Sequence, residues 1–85
     1  MIKLEPTGSV HGGALVYCYD PIFMVIRSGM LEYVSGGTAI VSGIGHTHTD
    51  CITHDLSIVK DCARQHLRKQ HELLDRALET INAYA

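Results

Sequence analysis

The sequence predicts an α+β fold: an antiparallel β-meander of about 3–4 strands over residues 2–44, then one long amphipathic helix over ~52–83. Three observations carry this. All eight glycines and both prolines fall within residues 1–45, with most of the β-branched and aromatic residues. Residues 50–85 contain neither glycine nor proline. In that second half Leu56, Val59, Ala63, Leu67, Leu74, Ala77, Leu78 and Ile81 recur at helical spacing and mark one apolar stripe.

The elements follow in order. "IKLE" (2–5) reads as a short strand ended by the loop "PTGSVHGG". "ALVYCY" (14–19) is a stronger strand, apolar on both faces, ended by Asp20-Pro21. "IFMVIR" (22–27) and "MLEYV" (30–34) flank Ser28-Gly29, the spacing of a tight hairpin. "TAIVS" (38–42) follows "SGG" and pairs next. A rival reading takes Asp20 as N-cap and Pro21 as first residue of a helix ending at Gly36-Gly37. Gly29 and the β-branched content weigh against it. Thr53, Asp55 and Asp50 are the candidate caps of the C-terminal helix.

An unbroken helix from about 55 to 83 is roughly 43 Å long. A compact domain of 85 residues has a radius of gyration near ~12 Å and spans only about 30 Å. The far end of the helix is therefore expected to pack on another chain, giving a homo-oligomer that meets through the helix. Lys60, Arg64, Arg68 and Lys69 precede Glu72, Asp75 and Glu79, so two such helices laid antiparallel would oppose basic and acidic segments. Local pairs on a solvated face, such as Glu72 with Arg76, are the plainer account of the same charges.

Composition bounds the function. The length suits a single small domain over 1–85. A net charge of −2 argues against a nucleic-acid partner, and no apolar run approaches the length of a membrane span. Three cysteines match no disulfide framework, and the opening "MIKLEPTGS" is not a secretory signal, so a reduced, cytoplasmic setting is expected. Only 19% of residues are charged beside 46% hydrophobic, which favours surface buried on a partner.

"GIGHTHTDCITHD" (43–55) joins the sheet to the helix and concentrates the chemistry: three His, three Thr, two Asp and one Cys. If "GHTH" is extended, His46 and His48 point to one side. With Cys51 and His54 on a helical turn, His46, His48, Cys51 and His54 form a candidate metal set, suited to zinc. The same stretch also suits an anion. Gly43 and Gly45 permit close backbone approach, Thr47 and Thr49 donate hydroxyls, His46 and His48 can protonate, and Lys60 and Arg64 lie further along the helix. No Walker or dinucleotide pattern is present. Cys51 with His54 is also a conceivable thiolate dyad, but no orienting group or oxyanion hole accompanies it. His11 is expected on a loop surface, and His66 near the apolar stripe.

A non-enzymatic binding or inhibitory module is therefore expected, sequestering a phosphate-bearing, nucleotide-like small molecule at 43–55. The alternatives are a protein-interaction or inhibitor module docking on a target protein, and a small zinc-binding protein.

Overall fold

Asp20 fixes where the chain first reverses. Its Oδ1 accepts the backbone N–H of Ile22 at 2.9 Å and of Phe23 at 3.3 Å, and its Oδ2 accepts from Arg27 Nε at 3.2 Å. An aspartate bonding the amides two and three residues on is a turn device, and Pro21 presets the following φ. The turn closes with Met24 at φ 56, in the left-handed region.

The computed structural model describes residues 2–4 and 10–83. Around this turn stand β1 (Leu15–Asp20) and β2 (Val25–Ser35), followed by β3 (Thr38–Val41) and β4 (Gly45–His48). A 3-10 turn at Thr49–Cys51 leads to α1 (Leu56–Asn82). The four strands form one antiparallel sheet in the order β1-β2-β3-β4, so the α+β layout read from the sequence holds.

The hairpin expected at Ser28-Gly29 does not form there: β2 runs straight through both residues, pairing Tyr17 with Ser28 and Val16 with Gly29. The reversal lies at 21–24 instead, because Asp20 ties down that turn, and residues 22–24 are not strand. The rival helix over 21–35 is likewise absent. β2 pairs with β1 through its first half and with β3 through Leu31–Ser35, with a bulge between Leu31 and Tyr33. Gly36 and Gly37, at φ 55 and 83, make the turn to β3. The fourth strand is Gly45–His48, not "IKLE". Within the latter, Ile2 N–H donates to Tyr19 O at 3.3 Å and Leu4 N–H to Asp50 O at 2.8 Å without regular strand structure; Glu5 lies outside the described residues.

β1 is apolar on both sides because it is buried on both sides. Val16 and Cys18 pack with Leu31, Ala39, Val41 and Ile52 inside the coiled sheet. Tyr19, on the alternate face, packs with Leu4, Val59 and Ala63, and Tyr17 borders that cluster. Period-2 alternation thus places one strand between two cores.

The helix begins at Leu56, four residues later than expected. Thr53 is taken by the sheet, exchanging backbone hydrogen bonds with Tyr17 at 2.8 and 3.0 Å, and Ile52 is fully buried. Asp55 is the cap, its side chain accepting Ser57 N–H at 2.9 Å. About three turns further on, the buried Tyr19 hydroxyl and His66 Nδ1 share a hydrogen bond of 2.8 Å that latches helix to sheet. Tyr19→Phe is expected to cost about 1 kcal/mol in urea unfolding by losing this bond while keeping the ring packing. An unchanged midpoint would show that the latch holds nothing.

Acid should loosen both turn and cap. Burial alone would raise the Asp20 carboxyl, but the amides of Phe23 and Ile22 and the Arg27 guanidinium outweigh it and hold it below the ordinary 3.8. The Ser57 hydroxyl and amide hold Asp55 below the same value against a smaller effect of burial. Carboxyls depressed in the folded state stabilise it above their unfolded value, and that contribution fades as pH falls through the folded value. Stability is therefore expected to hold down to about pH 5 and to decline below about pH 4, with the Asp20→Asn and Asp55→Asn variants showing a shallower decline in a urea series.

Candidate functional site

The strand-to-helix junction is built from the β3–β4 turn downward. Gly43 (φ 81) and Gly45 (φ 94) take conformations that only glycine adopts freely, so they serve the turn. β4 then pairs Thr38 with His48, Ala39 with Thr47 and Ile40 with His46. His46 and His48 are exposed and Thr47 is buried, so the two imidazoles do share a strand face. Thr49 is a strut: its amide at 2.9 Å and hydroxyl at 3.3 Å both donate to Gly37 O. A cavity of about 270 Å³ is lined by Thr38, His46, Thr47, His48 and Cys51.

His54 is not part of that cavity's lining. Its Nε2 accepts the His11 backbone N–H at 2.9 Å, so the ring proton sits on Nδ1, which donates to Leu15 O at 2.9 Å. The His11 ring stacks on it with centroids 5.7 Å apart. One nitrogen thus ties the 10–14 loop and the other the start of β1 to the junction, and His54 belongs to a structural clamp. The set His46, His48, Cys51 and His54 is not assembled, and among the described residues no three His, Cys, Asp or Glu side chains are placed to share a metal ion. The physical reason is that Thr53 is held in the sheet, which points His54 back toward β1.

Cys51 lines the junction cavity beside His46 and His48, while His54 is not part of that lining. Burial pushes the Cys51 thiol up, as it does Cys18 and Cys62.

The cations expected beside an anion lie elsewhere. Lys60 is exposed on α1. Arg64 donates to Asp61 at 3.1 Å and borders a hollow with Leu67, Arg68, His71 and Glu72. Among the described residues no Lys or Arg lines the junction cavity, and the helix N-terminus is already capped by the Asp55 carboxylate.

A second candidate site lies along α1. Of its 27 residues only Val59 and Ala63 are buried. From Leu67 onward it runs clear of the sheet, which is why the molecule is 56 Å long but only 20 × 19 Å across, with a radius of gyration of 16.1 Å. Leu67, Leu74, Leu78 and Ile81 stand exposed on this stretch, Leu74 at 62%. At the end of the sheet from which the helix departs, the β1–β2 turn exposes Ile22 at 82% and Phe23 at 69%. Reading 22–27 as a strand concealed this turn; the signal for it was Asp20-Pro21. Among the described residues no helix is long and apolar enough to cross a membrane.

No protein-family model, curated protein or solved structure matches the chain.

Proposed function

We propose that this protein is a non-enzymatic protein-interaction module that works as a homo-oligomer, its subunits meeting through the projecting half of α1. One observation carries the reading: about four turns of helix stand away from the sheet with Leu67, Leu74, Leu78 and Ile81 exposed along one face. An isolated amphipathic helix of this length is marginal in water, since most helical stability in proteins comes from packing an apolar face. Covering Leu67, Leu74, Leu78 and Ile81 with another chain supplies that packing. Sedimentation equilibrium of the untagged chain tests it. A mass of two or more chains at micromolar concentration is expected, and a monomer up to about 100 µM, a loading well above the dissociation constant of a stable interface, would overturn it.

A second reading, capture of a small phosphate-bearing ligand at 43–55, draws on the cavity that gathers His46, His48, Thr38 and Thr47. It is weaker because Lys60 and Arg64 stand apart. A rise in melting temperature with a nucleoside phosphate that His46→Ala abolishes would favour it.

A further inference from the structure

The apolar stripe of α1 does not end where the sheet ends. At 3.6 residues per turn, Leu56, Val59, Ala63, Leu67, Leu74, Ala77, Leu78 and Ile81 fall within about 100° of the helix circumference, with Lys60 and Gln70 the polar residues on that arc. Val59 and Ala63 on that arc pack against the sheet, so Leu74, Ala77, Leu78 and Ile81 continue the same face beyond it. The bond from Tyr19 to His66 sets the end of β1 level with the point where the helix leaves. The turn at 21–24 directly follows β1 and so stands near the root of the overhang. Helix and turn make an apolar corner.

This turn is held in shape. Asp20 bonds two of its amides and Arg27, and the Arg27 guanidinium lies 5.6 Å from the Phe23 ring centroid. Its apolar side chains are presented to solvent by a fixed scaffold, which lowers the ordering cost of binding.

Charge identifies the occupant. One flank of the stripe carries Arg64 and Arg68, then Asp75 and Glu79, at helical spacing. In an antiparallel pair related by a two-fold axis, the same flank of each helix faces its copy. A single register, centred between residues 71 and 72, sets Arg68 opposite Asp75 and Arg64 opposite Glu79, each twice. It also brings Leu67 beside Leu74 and Leu78 of the other helix. A parallel pair would hold each charge level with its own copy. The contacts these groups make within one chain do not compete strongly: Arg64 with Asp61 and His71 with Asp75 are exposed pairs within the helix.

We propose that a second copy of this chain occupies the corner, its helix antiparallel to the first, with the Leu78–Ile81 end seated against Ile22 and Phe23. This rests on the self-association proposed above and adds the orientation, the register and the role of the turn.

Sedimentation equilibrium at low salt on the full chain, with helix content followed by circular dichroism, tests it. Arg68→Glu should raise the dimer dissociation constant by about tenfold, and Arg68→Glu/Asp75→Arg should bring it back to within about threefold of the parent. Phe23→Ser should raise it by about tenfold with helix content retained. A dimer whose charge-reversal variant is not rescued by the second reversal overturns the antiparallel register. A dimer indifferent to Phe23→Ser overturns the seat at the turn. In both cases self-association itself would stand, whereas a monomeric parent chain would remove it and this inference together.

Discussion

Replacing Leu74 with Asp is expected to leave the chain a folded monomer. Leu74 is 62% exposed within one chain, so the domain loses little when it changes. In a helix pair it sits in the middle of the buried seam, where a carboxylate has no partner and burying it unpaired is costly. By two-fold symmetry the defect occurs twice in each dimer. Weakening by at least about 100-fold is expected, equivalent to roughly 3 kcal/mol at 1.4 kcal/mol per tenfold. Leu73→Asp is the control: Leu73 is also exposed but falls outside the arc of the stripe. Light scattering across a dilution series reads both variants. Equal effects would mean that solubility or helix propensity, not the seam, is being measured.

Gly29→Ala should be the most damaging single change to the fold. A Cβ at Gly29 would overlap the Ser42 carbonyl oxygen and come within 2.9 Å of Val41 Cγ1. The first of these is backbone, so no rotamer change relieves it. At this point β2 crosses close to the end of β3, and Ser42 N–H donates to Met30 O at 2.9 Å. Moving the strands apart would break that bond and open the core around Leu31 and Val41. A loss of about 3 kcal/mol or more is expected. For a domain of this size that lowers the melting temperature by roughly 12–24 °C. A calorimetric scan showing a shift under about 4 °C, the effect of 1 kcal/mol at most, would mean the crossing is not tight.

Gly29 also shows how reading and structure parted. In sequence, Ser28-Gly29 between two apolar runs carries the local signature of a hairpin, and nothing nearby contradicts it. The requirement that glycine meets here is for close approach to residue 42, a contact that exists only once the sheet has coiled. The true hairpin was marked by Asp20-Pro21, which also fitted the start of the rival helix. Local chemistry announced a turn without saying which elements it joins.

The junction at 43–55 divides the same way. That His46 and His48 share a face follows from strand alternation, which is a local property. That His54 faces away from them follows from Thr53 pairing with Tyr17, a contact across 36 positions of sequence. A cluster of ligand-type residues in sequence therefore became a two-histidine cavity on one side and a hydrogen-bonded clamp on the other.

What the sequence determined by itself was periodic: β-rich residues then helix, a strand apolar on both faces, and a helix too long for its sheet. These properties repeat at fixed short spacing, so each residue carries its part of the signal. What only the tertiary structure decided was where the chain reverses, where the helix begins and which polar groups meet. Those depend on single long-range contacts, Gly29 against Ser42, Thr53 with Tyr17 and Tyr19 with His66, whose partners are chosen by packing and leave no periodic trace in the chain.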